Sequence, residues 1–583
     1  MITLGLSLFE NTESKNKLIF SLIGIYITYK KTGLLDEYIK NVYNFFVYFN
    51  KTKYLNSLLF NTVIQLPHYR NKLDNEVFKV QKGIEESTFK LESSIKNRID
   101  TIPNKGIVPD FIIEKMTENH AGDLTFYNPS KLSGTLYNLP SETETKLLKN
   151  VIDIYYKTNP LHSDIFPSLI TMEKDIVKMT KSLLNCPPDK GFGTVTTGGT
   201  ESIILALFGY REYARKHRGI TSPEVVAPST VHPAFDKGCY YLGIKLRKIN
   251  VSNENQIDLE QLSWSINHNT ILIVGSLPSF PHGLIDDIDV LNKYASEWNI
   301  PIHVDACLGG FVFPFLEDMP PYDFRNIGVQ SMSIDTHKYG CCPKGSSVLI
   351  FRDLYFFESC YFIQSEWSGG IYATTNLTGS RSGLNLALTW AMMAYNGKEG
   401  YRNNAKQIYK GLVRIKTAFG NDSDVFVFGE PKICVVGFGS NTIDIYKVSG
   451  RMKRKGWNLN ELQNPPSFHL CITNCHSDEI ITQFIADLKT CLDKVVSDKF
   501  NKDYITTNLE YTKFSKRKGG ISIEGVKNDL DNNGKNVSFD EDHEDEDLVD
   551  NEESGASVYG TTQKVPDQSI VDDVVKCYLN SIH

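Results

Sequence analysis

Between residues 167 and 397, short β-branched runs alternate with longer stretches whose apolar positions recur at helical spacing. The runs at 225–227, 270–275, 300–304 and 332–334 predict strands, and residues 202–217 and 287–298 predict amphipathic helices. Strands that each hand over to a helix build a mainly parallel sheet covered on both faces, so this segment predicts an α/β large domain. After residue 397 the pattern changes to helices around a short strand set, 433–437 and 469–473, which predicts a smaller α+β C-terminal domain over 398–500. Residues 101–166 precede the large domain as an arm.

The two ends of the chain read differently. Residues 18–28 (LIFSLIGIYIT) are the most apolar run, with Lys15 and Lys17 before it and Lys30 and Lys31 after it. As a helix this run reaches roughly 17 Å at about 1.5 Å per residue. That is short of a hydrocarbon core of about 30 Å, so hydropathy alone does not make it a spanning helix. Residues 42–49 (VYNFFVYF) have the aromatic character of membrane-interface segments. Helices buried against the main domain or a partner satisfy the same composition, so residues 1–100 hold two open readings. No small-residue cleavage pattern follows the apolar run, which argues against a cleaved signal peptide. At the other end, residues 501–583 form a tail in which 540–547 carry seven acids in eight positions. Such a block repels itself and buries too little apolar surface to fold, so a disordered insertion is expected. Residues 569–582 regain an apolar period, which predicts a helix that docks back.

At 583 residues the chain has room for more than one folding unit, which excludes a single small binding module as its full description. A net charge of −7 gives no overall basic field. That excludes a general nucleic-acid binder, and any anion site must be built locally. The eleven cysteines include no CxxC pair and no Cys/His cluster at zinc spacing, so they read as reduced thiols and no metal site is expected. Neither the adjacent Cys341 and Cys342 nor the pair Cys471 and Cys475 has a second ligand pair near it.

Several polar clusters fall at predicted carboxyl ends of strands, the usual place for sites in open α/β sheets. Thr197, Gly198, Gly199 and Thr200 precede a helix; glycines admit an anion to the backbone and the helix start attracts it, so the loop suits a phosphate. Asp305 ends the strand IPIHVDA, where a carboxylate is costly to desolvate unless it meets a cation such as a protonated pyridine nitrogen. Lys338 ends the next strand in Asp335-Thr336-His337-Lys338, and a lysine whose amine pKa is lowered in a partly dry pocket can form a Schiff base with an aldehyde cofactor. His232 follows the strand EVVAP, where an imidazole can lie flat on a pyridine ring. Taken singly, each has a plain structural explanation as a cap, a turn or a surface residue. Together and in this order they point to pyridoxal phosphate.

These residues and their flanks closely resemble the sphingosine-1-phosphate lyase family, fold-type-I pyridoxal-phosphate enzymes of the glutamate-decarboxylase-like group. The resemblance runs from about residue 122 to 495, with a fainter echo at 557–582. It is carried by SGTLY, TNPLHSDIFPSL, TTGGTES, SFPHGLID, HVDACLGGF, DTHKYG with PKGSS, GGIYATTNLTGSRSG, NTIDIYKVS and KGWNLNELQNPPSFHLCIT. It implies the pyridoxal-phosphate-dependent transferase fold and a homodimer in which GGIY and the turn Gly379-Ser380-Arg381 complete the neighbour's site. It implies that Lys338 carries the cofactor and Asp305 holds its ring nitrogen, with His232 above the ring and Cys307 below. Gly199, Thr200, His337 and the partner's Ser380 would bind its phosphate, while Tyr137, His162 and Lys344 match positions that contact the substrate phosphate and assist proton transfer.

The activity implied is cleavage of a phosphorylated sphingoid base, by a retro-aldol step, to a long-chain aldehyde and phosphoethanolamine. The base stays open among Lys338, Tyr137 and a histidine. The chain departs from the family at Cys341 and Cys342, in the acidic stretch and in the first hundred residues. An N-terminal membrane segment is a family habit; it implies a cytosol-facing site at the endoplasmic reticulum membrane, whereas a bacterial member would be soluble or exported to a host cell. The nearest rival is an amino-acid decarboxylase with the same cofactor geometry, and a non-catalytic interaction protein on an inherited fold is the rival of another class. The trio Tyr137, His162 and Lys344 favours the lyase.

Overall fold

One seven-stranded sheet carries the large domain. Its strands are β1 (Phe192–Thr196), β2 (Glu224–Pro228), β3 (Lys245–Ile249), β4 (Thr270–Ser276), β5 (Ile302–Asp305), β6 (Val329–Ile334) and β7 (Ser347–Phe351). They lie in the order β1-β7-β6-β5-β4-β2-β3. From β6 to β3 every neighbour is parallel, while β7 runs antiparallel to both β6 and β1. The four strands read from the sequence are present as β2, β4, β5 and β6. β3 lacks a β-branched run, β1 has only the three residues Thr194–Thr196 before the glycine turn, and β7 follows a loop instead of a helix, which hid it from an alternation of strands and helices. This computed structural model describes residues 99–123 and 128–517 apart from 253, 255 and 318, with the isolated positions Phe78, Lys82 and Val575.

The helices preceding and within this domain are α1 (Pro109–Asp123), α2 (Glu142–Tyr155), α3 (Pro167–Leu183), α4 (Gly199–Arg218), α5 (Pro233–Leu242), α6 (Leu259–Ser265), α7 (Ile288–Glu297) and α8 (Leu354–Glu358). They divide the core into two layers. Ile273 of β4 packs in the layer that holds Ile176 of α3 and Leu291 of α7. Its neighbours Leu272 and Val274 pack in the layer of Leu205 of α4 and Phe235 of α5. The alternation over residues 272–274 is the two-residue period of a strand buried on both faces. β8 (Phe362–Trp367) and β9 (Gly370–Thr374) form a separate hairpin whose first strand is exposed throughout.

A helix of 37 residues, α9 (Gly383–Phe419), crosses the expected domain boundary and breaks at Gly397, where φ is +56°. Only a residue without a Cβ takes that conformation at little cost. Beyond it β10 (Phe426–Val427), β11 (Val435–Gly439), β12 (Asn460–Leu462) and β13 (Ser467–Cys471) make an antiparallel sheet in the order β10-β11-β13-β12, accompanied by α10 (Ile445–Arg454) and α11 (Asp478–Arg517). The expected strands 433–437 and 469–473 are β11 and β13, each displaced by two residues, and α11 continues past residue 500. The arm is stitched to this sheet: Leu132 bridges Asn458, and Ser133 Oγ accepts from Cys471 N and Asn460 Nδ2, each at 2.8 Å.

The chain separates into two compact units, and all elements above lie in residues 103–535. Of the other unit, 1–102 with 536–583, only residues 99–102 and the isolated positions are described. The apolar runs 18–28 and 42–49, the acidic block 540–547 and the apolar period at 569–582 therefore lie outside the described residues. Among the described residues no helix is long and apolar enough to cross a membrane.

His282, His303, His469 and His476 are buried, and burial pushes each down to about 4. They fold uncharged. Between pH 6.5 and 4 the unfolded chain takes up protons that the folded chain refuses, so their contribution is complete above 6.5 and is lost as pH falls. Each such site accounts for on the order of 3 kcal/mol across that window. Thermal melts should therefore show a midpoint that is level near neutral pH and drops steeply below 6.5, with a shallower drop in His303→Gln; an equal slope in that variant would count against this account.

Candidate active site

Five strand ends open on one edge of the sheet. β1 leads into α4 through Gly198, Gly199 and Thr200; β2 leads through His232 into α5; β4 ends at Ser276, β5 at Asp305, and β6 is followed by Asp335 to Lys338. Although β7 is reversed, two reversals leave β1 parallel to β6, so its end reaches the same edge. A cavity of about 340 Å³ lies there, lined by Gly199, Thr200, His232, Asp305, Cys307, His337 and Lys338. Seven of the expected site residues thus share one cleft.

Asp305 is buried, and its Oδ1 accepts from Cys307 N at 3.0 Å and from Ser333 Oγ at 3.3 Å. Both donors are neutral, and no basic side chain among the described residues reaches ion-pair distance of it. His303, two residues back, bridges Ser331 at 2.8 Å and Ser333 at 3.1 Å and stays neutral. Lys338 Nζ faces Asp335 Oδ2 at 3.0 Å. Burial pushes the Lys338 amine down as the sequence predicts, but the carboxylates of Asp335 and Asp305 outweigh it and hold the amine above its ordinary value, the reverse of that expectation. The amine is therefore a cation paired with the Asp335 carboxylate. Burial pushes the Cys307 thiol well up, so it stays protonated.

At the other end of the cleft, Gly199 packs so closely that an added Cβ would lie 2.8 and 2.9 Å from the Asp335 oxygens and 2.9 Å from Cys307 Sγ. Glu201 Oε2 ties down the turn by accepting from Thr197 N at 2.7 Å and Thr197 Oγ1 at 2.6 Å. His337 accepts from Ser346 N through Nδ1 at 3.2 Å, and burial pushes its pKa down despite Asp335. His232 caps α5 by accepting from Ala234 N at 3.1 Å through Nδ1, and it lines the cleft.

Four expected residues lie outside that lining. Tyr137 and Lys344 pair with each other, the Lys344 amine 4.8 Å from the ring centroid, and Tyr137 meets Tyr339 edge-on at 4.9 Å. Burial pushes the Tyr137 hydroxyl far up, and burial with Lys338 nearby pushes the Lys344 amine down. His162 and Ser380 are exposed, and Ser380 Oγ accepts from Asn159 Nδ2 at 3.1 Å. Neither lines the cleft of its own chain. Next to Ser380, Arg381 is held by Glu173 and by Val195 O at 2.8 Å.

Sequence reasoning singled out neither Asp335, Ser276 nor Glu201 as site residues. Each lines the cavity with a buried oxygen that has no hydrogen-bond partner. Only Asp335 carried a signal, lying three residues before the lysine, where a tight turn brings the two together. Cys341 and Cys342 are buried free thiols, as are the eight other described cysteines, and among the described residues no group of side chains could hold a metal.

A family described as "Pyridoxal-dependent decarboxylase conserved domain" matches residues 145–440. Sphingosine-1-phosphate lyase 1 of Mus musculus is 38% identical over 449 residues, 76% of this chain and 78% of its own length. Sphingosine-1-phosphate lyase of Saccharomyces cerevisiae is 38% identical over 454 residues, 76% of each chain. The solved sphingosine-1-phosphate lyase of Burkholderia pseudomallei superposes with a TM-score of 0.67 at 32% identity, covering 72% of this chain and 98% of that one. A Lactobacillus brevis glutamate decarboxylase at 20% identity, with a TM-score of 0.60 and 69% and 96% of the two chains covered, shares the fold.

The cleft fits pyridoxal phosphate on its own chemistry. Asp305 is an anion awaiting a cation, Lys338 is an amine within the same walls, and the start of α4 is an anion cradle with no room for a side chain at Gly199. Gly199→Ala should weaken pyridoxal-phosphate binding by about tenfold or more. Absorbance titration of the cofactor-stripped protein measures this, and an unchanged affinity would place the phosphate elsewhere.

Proposed function

The chain belongs to the sphingosine-1-phosphate lyase family, and from that membership we propose how its own residues divide the work. It is a pyridoxal-phosphate-dependent aldehyde-lyase that cleaves phosphorylated long-chain bases to a fatty aldehyde and phosphoethanolamine. Bound pyridoxal phosphate supplies an aldehyde that condenses with amines and a protonated ring that accepts the electron pair of the breaking carbon–carbon bond. The observation that carries the assignment is that Asp305 and Lys338, from adjacent strands, line one cavity.

Lys338 presents the amine that joins the cofactor. Asp305 keeps a proton on the ring nitrogen, which its fixed and buried position makes effective. His232 and Cys307, both in the lining, would flank the ring of the bound cofactor. Gly199, Thr200 and His337 hold the phosphate. Lys344, cationic and braced by Tyr137, takes the phosphate of the substrate, and Tyr137 or Lys338 moves the proton of the substrate hydroxyl. The separation of Lys344 from the cleft lining suits a substrate whose charged group sits a few bonds from the reacting carbon. Purified protein should release aldehyde from sphingosine 1-phosphate and no carbon dioxide from glutamate. Lys344→Met should raise KM for the phosphorylated base by about tenfold or more while leaving the cofactor spectrum intact. Carbon dioxide release from glutamate, without aldehyde from the lipid, would overturn the reading.

The partner is a second copy of the chain. What supports this is the β8–β9 hairpin, which leaves Phe362, Ile363, Trp367 and Ile371 exposed together, and the exposure of His162 and Ser380, neither of which lines its own chain's cleft. In the dimer Ser380 serves the neighbouring cofactor phosphate. Co-expressing Lys338→Ala with Ser380→Asp, each inactive alone, should restore activity through mixed dimers that have one intact site; no restoration would place Ser380 in its own chain's site. The apolar runs 18–28 and 42–49, flanked by lysines, support attachment to the endoplasmic reticulum membrane with the catalytic unit on the cytosolic side.

A further inference from the structure

Asp335 has no part in the assignments above, yet it sits where the two ends of the cleft meet. It is 3% exposed. Its Oδ2 lies 3.0 Å from Lys338 Nζ and 3.6 Å from His337 Nε2, and its Oδ1 has no hydrogen-bond partner. Both oxygens press on the start of α4, within 2.9 Å of where a Gly199 Cβ would stand. A helix start favours an anion there, and a buried lysine favours one beside it. The functional reading gives that same position to the cofactor phosphate. Two anions cannot share it without cost.

Resting on that reading, we infer that Asp335 is a resident substitute for the cofactor phosphate. In the cofactor-free chain its carboxylate fills the anion position at the start of α4 and neutralises Lys338. The arriving phosphate takes over both tasks. Asp335 is thus a positioning residue that keeps the lysine and the glycine turn in register before the cofactor arrives, and it opposes cofactor binding while doing so.

This account fixes two opposite signs. Asp335→Asn removes the counter-ion of a buried ammonium, so the cofactor-free protein is destabilised. The same change removes the charge that repels phosphate, so anions bind more tightly. A residue with a merely structural role would weaken binding, and so would one that holds the cofactor directly.

The test uses the full-length chain stripped of cofactor. Relative to the unaltered chain, Asp335→Asn should lower Tm by roughly 5 °C and tighten binding of both inorganic phosphate and pyridoxal phosphate by about tenfold. Equal or weaker anion binding, or an unchanged Tm, overturns the inference. If Asp335→Asn does not accumulate as folded protein, it is read in the Lys338→Ala background, where the carboxylate has lost its cation. There the second change should raise Tm, and a lower or equal Tm overturns the inference. The Tm and phosphate measurements use no cofactor. Failure of the unaltered chain to take up pyridoxal phosphate would therefore count against the functional reading alone.

Discussion

A charged amine inside a protein survives only where opposite charge is built in around it, and the cleft of this chain is organised by that need. Lys338 is cationic because Asp335 and, less closely, Asp305 stand near it, and the Asp335 carboxylate is in turn tolerable because of the lysine. The sheet makes this possible. Pairing of β5 with β6 sets Asp305 beside Ser333, so the two acidic strand ends open side by side. A slip of one residue in either strand would turn its carboxylate into the core, and the register is held by side chains packed on both faces.

The neutral surroundings matter as much as the charges. His303 bridges two serines behind Asp305 without adding a charge, because burial keeps it unprotonated. Asp305 consequently has no ion-pair partner among the described residues and is left to a ligand. At the opposite end the glycine turn before α4 offers an anion position in which any side chain at residue 199 would collide. One ligand that is cationic at one end, anionic at the other and reactive toward an amine between them satisfies all three demands. Ser380 and His162 are exposed and do not line the cleft of their own chain.

Much of this was legible in the residues. The alternation of strands and helices gave the mainly parallel sheet because buried parallel strands need nearly continuous β-branched runs, and β4 (TILIVGS) is such a run. The order of glycine turn, histidine, aspartate and lysine gave the cleft because open α/β sheets gather their strand ends on one edge. β7 stayed hidden because it follows a turn and no helix, and β3 because an edge strand carries charge, as Lys245 and Lys248 show. Asp335 was in plain view within DTHKYG. Its role was not, because the backbone turn that folds it onto Lys338 and Gly199 has no signature of its own. The two-residue displacement of β11 and β13 is the usual imprecision of strand ends read from pattern alone.

The central claim is that one particular amine, Lys338, carries the cofactor. Borohydride reduction of the purified protein, followed by proteolysis and mass spectrometry of the peptides, tests it directly. The account predicts a single phosphopyridoxyl adduct on the peptide that contains Lys338. An adduct on Lys344 or any other lysine, with Lys338 unmodified, would contradict it.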